Sequence, residues 1–273
     1  MKSAVTISVV PEARGGPFVF WDSIAAGCEA AAKLGFDAVE LFAPNAAALT
    51  ADSAVVPVAA CGLEVAAVGT GAGWVRSKLS LSDADPARCR EAIDFVRDMI
   101  DAAATWRAAV IIGSMQGRCG DVRELPAARE RLAISLTELA GEAEEAGCEL
   151  LLEPLNRYET DMVNTVADGL KLLRRIGSDS VRLLCDVFHM NIEERSIAEA
   201  LRSAGNAVGH VHFADSNRRA VGAGHIDYDP IIEALRQIKY EGYLSAEVLP
   251  LPDSNAAATQ SIDSFKRLCG HGS

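Results

Sequence analysis

"VGHVHFADSNRR" (208–219) begins as a core strand and ends in charge. Val208, Val211 and Phe213 suit a buried strand, yet His210, His212, Asp215, Arg218 and Arg219 fall within the same dozen positions. Three further stretches are apolar runs that stop at a chemically active side chain. "CELLLEPLN" (148–156) stops at Glu153, "VRLLCDVFH" (181–189) at Asp186 and "GYLSAEVL" (242–249) at Glu247. In "GHVHFAD" (209–215) the equivalent residue is His212.

The rest of the chain keeps the same beat of strand and helix. "AVTISVV" (4–10), "DAVELFAP" (37–44), "LEVAAVGT" (63–70) and "AAVIIGS" (108–114) complete a set of strands that are nearly continuous apolar runs, as expected where helices cover both faces. Helical patterns follow over 21–34, 86–104, 127–146, 164–176, 198–205, 229–238 and 257–269, several closed by glycine. No linker rich in Pro or Ser divides the 273 residues. Eight such strands, seven of them followed by a helical pattern, predict a (β/α)8 TIM barrel occupying residues 1–273 as one domain. From pattern alone, a doubly wound parallel sheet is the alternative.

Barrel chemistry sits at the C-terminal ends of the strands. Glu153, Asp186, His212 and Glu247 would come from four consecutive strands and converge at one side of the mouth. Three carboxylates so close would repel one another and be costly to desolvate. A divalent cation removes the difficulty, and this oxygen and nitrogen set suits manganese, magnesium or cobalt, with zinc also compatible. Any one of the four, taken singly, is as well read as a satisfied polar residue at a strand end; four in succession favour a metal centre. Glu159, His189 and Arg218 follow close behind these residues. His189 as a loop histidine capping backbone, and Arg218 as a solvated arginine, are the plain alternatives. His210 is expected to point away from His212, into helix packing.

"EPLNRYE" (153–159), "CDVFHMNIEE" (185–194), "HVHFADSNRR" (210–219) and "GYLSAE" (242–247) together resemble the xylose isomerase-like TIM-barrel superfamily. Within it, the resemblance is to the sugar phosphate isomerase/epimerase branch and, in particular, to the ketose 3-epimerases of the tagatose and psicose type. It is strong over residues 150–250 and general before them. It implies metal ligation by Glu153, Asp186, His212 and Glu247, with manganese foremost, and polarisation of substrate by Glu159, His189 and Arg218. It implies a sugar or sugar phosphate as the small-molecule partner and a homo-oligomer, dimer or tetramer. The loops "VGTGAGWVRSKLSLSDADP" (68–86) and "IIGSMQGR" (111–118) depart from the family pattern, which leaves the identity of the sugar open.

Epimerising a carbon beside a carbonyl needs a base on each face and an electrophile on the oxygens. Glu153 and Glu247 are the expected bases, working through a cis-enediolate that aldose–ketose isomerisation would share. "GTGAGW" (69–74) lacks the Gly-Lys-Ser/Thr of a phosphate loop and reads as a mobile lid, with Trp74 covering the sugar. Arg118 could meet a phosphate on the substrate or sit exposed in a loop. His225 and Asp227 belong to a loop that either closes over the site or caps the next helix.

Other classes are disfavoured. Lys+Arg 26 against Asp+Glu 38 leaves a charge of −12, which repels nucleic acid. That charge and only five histidines argue against an apurinic-site endonuclease on this scaffold. No apolar run is long enough to span a membrane. The N-terminus reads as a strand rather than a signal peptide. Seven scattered cysteines without a C-x-x-C pair fit reduced thiols in the cytoplasm better than a disulfide framework. A dehydratase of the 3-dehydroshikimate type and a non-catalytic sugar-binding barrel remain as alternatives.

Overall fold

The chain is described by a computed structural model covering residues 1–21 and 23–270. Its strands are β1 (Lys2–Ser8), β2 (Ala38–Phe42), β3 (Glu64–Gly69), β4 (Ala109–Ile112), β5 (Leu150–Leu152), β6 (Val181–Asp186), β7 (Val208–His212) and β8 (Tyr243–Ala246). They pair in sequence order, all parallel, and β8 returns to β1 to close a barrel. The doubly wound alternative is thereby excluded.

The helices are α1 (Ile24–Leu34), α2 (Ala46–Thr50), α3 (Asp52–Ala60), α4 (Ala72–Ser77), α5 (Pro86–Ala104), α6 (Leu125–Ala146), α7 (Val166–Ile176), α8 (Val187–Glu193), α9 (Ile197–Ala204), α10 (Asp229–Gln237) and α11 (Ser254–Cys269). Their limits have local causes. Ser23 and Thr165 accept the backbone N–H three residues on, at the starts of α1 and α7. Gly35 and Gly177 end the same helices in the left-handed region, at φ 83° and 73°. Two features depart from the sequence expectation. No helix is expected between β2 and β3, yet α2 and α3 lie there; α3 carries an internal proline, Pro57, which weakens its pattern. The glycine-rich "GTGAGW" (69–74) runs into α4, so Trp74 stands on a short helix.

A large apolar layer fills the space between barrel and helices. Inside the barrel, Ala67, Ile111, Leu151 and Leu184 form a separate cluster, one residue from each of β3 to β6. Strand side chains alternate, so residues two further along share that inward face. For β5 and β6 those positions are Glu153, just past the strand end, and Asp186. In β7, His210 pairs with Leu184 and His212 with Asp186. Both histidines therefore turn inward, which corrects the expectation for His210. Positions two apart on a strand lie on the same side.

Candidate metal centre and active site

Asp186 ends β6 and caps α8: its Oδ1 accepts the Phe188 N–H at 2.8 Å, which leaves Oδ2 directed into the barrel. One helical turn on, His189 projects from α8 beside it. Glu153 lies against β4, where Gly113 leaves it room, since a Cβ there would overlap the Glu153 carboxylate. Around these groups His212 is the hub. Its Nδ1 lies 3.4 Å from Glu153 Oε1, 3.5 Å from Asp186 Oδ2 and 3.5 Å from Glu247 Oε2. All four side chains are buried or nearly so.

Asp186 Oδ2 and His212 Nδ1 are buried without a hydrogen-bond partner. Unpartnered polar atoms in an interior are costly, and their convergence calls for a cation. Ligand bonds of about 2.1 Å put donor atoms around one ion roughly 3–3.5 Å apart. The spacing about His212 Nδ1 fits that range, and Glu153, Asp186 and His212 form the compact trio. Glu247 reaches His212 while its Oε2 also accepts from Arg218 Nη2 at 2.5 Å. The donor set thus fits a divalent ion.

The electrostatics agree. Burial opposes a charge on His212, but surrounding carboxylates, Glu40 foremost, outweigh it and push its pKa well above the usual imidazole value. Burial raises the Glu153 carboxyl to about 7, against the pull of His212 and with help from Glu247 and Asp186. Glu247 is raised too, chiefly by burial. On Asp186, burial is overcome by His189, Arg218 and His212, which hold it below the ordinary carboxylate range.

His189 is set as a neutral donor. Its Nδ1 accepts from the Asn156 backbone N–H at 3.3 Å and lies 2.7 Å from Asn156 Nδ2. The proton is therefore on Nε2, which faces Asp186 Oδ2 at 3.5 Å and has no hydrogen-bond partner. Burial pulls its pKa down to about 4, so the ring stays uncharged near neutrality. Arg218, at a left-handed φ of 58°, stacks on Phe188 at 4.7 Å and also approaches Glu159 Oε1 at 3.4 Å.

A cavity of 510 Å³ opens over these groups, lined by Glu153, Glu159, His189, His212, Arg218 and Glu247 and walled by Phe18, Phe42 and Trp74. Arg118 lies outside it. Its Nη1 donates to the Tyr158 carbonyl at 2.9 Å, and it borders a neighbouring hollow of 290 Å³. His225 is likewise outside, with its Nδ1 2.8 Å from Ser216 Oγ. Two participants escaped the sequence reading. Asn156 fixes the His189 tautomer from within "EPLNRYE" (153–159) without being a charged or catalytic type. Glu40 lies in the cavity wall and contacts both histidines of β7. Its signal was available: it is a carboxylate in the middle of the apolar run "DAVELFAP" (37–44).

The family model described as xylose isomerase-like TIM barrel matches residues 28–268, and the chain belongs to that family. The D-psicose 3-epimerase of Ruminiclostridium cellulolyticum is 31% identical over 230 residues, 80% of this chain and 76% of that protein. The D-psicose 3-epimerase of Enterocloster bolteae is 33% identical over 174 residues, 60% of this chain and 56% of that protein, so the match spans little more than half of that relative. Among solved structures, a 3-keto-D-glucoside 4-epimerase from E. coli in its apo form superposes with a TM-score of 0.82 at 24% identity, covering 98% of this chain and 100% of the other. At that identity the likeness speaks for the fold.

Proposed function

We propose that this chain, as one barrel domain over residues 1–273, is a divalent-metal-dependent sugar epimerase of the isomerase class. One observation carries the reading: four liganding side chains from four consecutive strands meet at His212 Nδ1, with Asp186 Oδ2 and His212 Nδ1 otherwise unpartnered. The 3-epimerase names of the relatives support it.

Glu153, Asp186, His212 and Glu247 would hold the ion, with manganese the first choice and magnesium, cobalt or zinc compatible with the same donors. When bound, such an ion supplies a Lewis acid for the carbonyl and the adjacent hydroxyl. Glu153 takes the proton from the carbon beside the carbonyl on one face, and Glu247 serves the other. A glutamate carboxylate on each face can accept the carbon-bound proton and return it. His189 Nε2–H and the Arg218 guanidinium donate to substrate oxygen as charge develops there. Glu159 receives a hydroxyl, and Trp74 and Phe18 cover the sugar.

The cavity lies within the ~300–1,000 Å³ typical of sites for drug-sized ligands, more room than a monosaccharide alone needs. The substrate panel therefore includes free ketoses, phosphorylated ketoses and glycosides bearing a ring ketone. Free thiols at all seven cysteines suit a reducing compartment, and we place the enzyme in the cytoplasm. The test is incubation of the panel with Mn²⁺-loaded protein in deuterated water. The expected result is deuterium at the carbon beside the carbonyl, with formation of the epimer. Release of water with a new enone absorbance would indicate the dehydratase instead. No exchange on any compound overturns the epimerase reading.

A further inference from the structure

Glu40 is the one charged residue in β2, and none of the chemistry above uses it. It enters the barrel interior from a strand that is not adjacent to β7, and only 4% of it is exposed. Its Oε2 is 2.9 Å from His210 Nε2, and its two oxygens are 3.2 and 3.3 Å from His212 Nε2. A carboxylate only accepts, so both imidazoles present an N–H to it. His212 is thus committed to Glu40 through Nε2, and its Nδ1 is the atom turned to Glu153, Asp186 and Glu247.

We infer that Glu40 is a positioning residue for the metal centre. By accepting the Nε2–H of His212 it fixes the ring and the tautomer that present Nδ1 as a ligand. His210 clamps the Glu40 carboxylate from the side. This rests on the metal-centre reading and extends it to a residue outside the ligand set.

Two physical points carry the inference. The interior layer beside Glu40 is built from Ala67, Ile111, Leu151 and Leu184. In such a layer a buried ionic group is no better for stability than an apolar side chain of similar volume. A carboxylate behind a ligating histidine, in contrast, orients the ring and makes it a stronger donor. Glu40, His210 and His212 also satisfy the spacing of a cation site in their own right. At 2.9–3.3 Å, however, their atoms hydrogen-bond one another, whereas the unpartnered atoms lie on the Nδ1 side of His212.

The test is calorimetric titration of Mn²⁺ into the metal-free wild type, Glu40→Gln and, as a control at the opposite end of the barrel, Glu64→Gln. One ion per chain is expected in all three. Glu40→Gln should raise the dissociation constant about 10–100-fold, the usual effect of losing the partner of a ligating histidine. Wild-type affinity in folded Glu40→Gln overturns the inference and leaves the metal centre standing. No binding by the wild type overturns both. Two ions per chain, with the second lost in His210→Gln, replaces the inference with a second cation site. NMR of the Mg²⁺-loaded wild type decides the matter even should Glu40→Gln not fold. The Nε2 protons of His210 and His212 should both be shifted downfield and exchange slowly with water. Fast exchange at His212 Nε2 overturns the inference.

Discussion

The two ends of the barrel treat charge in opposite ways. At the N-terminal base, Lys2 Nζ lies 2.6 Å from Glu64 Oε2, the Tyr243 hydroxyl donates to the same oxygen at 2.5 Å, and the ion pair is about half exposed. Ser3 donates to Asp37, and Arg182 pairs with Glu149. Each charge meets a partner in reach of water. At the C-terminal mouth, Glu153, Asp186 and Glu247 crowd His212 in the interior, and Arg218 is the nearest permanent cation. The same strands supply both ends, so topology does not account for the contrast. Negative charge left uncompensated in a dry site costs stability, and it is kept where a ligand will answer it.

The largest break in this asymmetry is expected from removing the proposed ion. Chelation of a sample with verified metal loss should abolish turnover, while the barrel persists because its core does not depend on the metal. Stability should fall only by the linkage contribution, about 2.7 kcal/mol where the ion had been at 100 times its dissociation constant, with a matching drop in melting temperature. Full activity after verified metal loss would rule out the metal centre.

Next come the two proposed bases, Glu153 and Glu247. Glu247→Gln and Glu153→Gln, each saturated with metal as checked by elemental analysis, should both lose net inversion, because an amide cannot take a carbon-bound proton. Each should still exchange the proton of one epimer through the surviving glutamate, with mirror-image preference. Equal loss of exchange for both epimers in both variants would argue against one base per face. Rapid inversion by either variant would sink the mechanism.

The donors follow. His189→Asn or Arg218→Ala should lower kcat/KM by a factor equivalent to about 2–4 kcal/mol, the range for losing one oxyanion donor. Metal affinity should hold in His189→Asn and weaken in Arg218→Ala, which removes the donor to Glu247. Wild-type kinetics in both variants would return these residues to a structural role.

The strand-end residues were legible because a strand buried on both faces has no reason to stop at an acid unless something is built there. Eight repeated strands with short connections made the barrel legible in the same way, and the helical pattern expected over 86–104 is α5, which the structure shows capped by Asp85. What was hidden required knowing who faces whom. Glu40 belongs to β2, and only closure of the barrel brings it to β7. The orientation of His210 was readable from the two-residue period and was misassigned. The pairing of Asn156 with His189 depends on α8 starting directly after Asp186, a helix that the apolar run ending at Asp186 does not announce. Arg118 carries the right charge in a plausible loop, but its guanidinium is turned to the Tyr158 carbonyl.

The smallest effect is expected at the base, and it sharpens the comparison by its smallness. Hydrogen bonds from Lys2 and then Tyr243 hold the Glu64 carboxyl below its usual 4.5, since burial, which works against them, is slight there. A carboxylate whose pKa is depressed by folding contributes stability that is present above its unfolded value. That contribution is lost as pH falls through the lower folded value, so it is absent in strong acid. The pair is half exposed, and solvent screening confines its worth to about 0.2–1 kcal/mol. Glu64→Gln should therefore lower stability by about that much at pH 7 and low ionic strength, less in high salt, and not at all in strong acid. Metal affinity and turnover should match the wild type. Denaturant melts of both proteins at pH 7 and in strong acid measure the difference directly. A loss above about 2 kcal/mol at pH 7, or any loss of metal binding, would mean that the base is coupled to the mouth and that the two ends are not electrostatically independent.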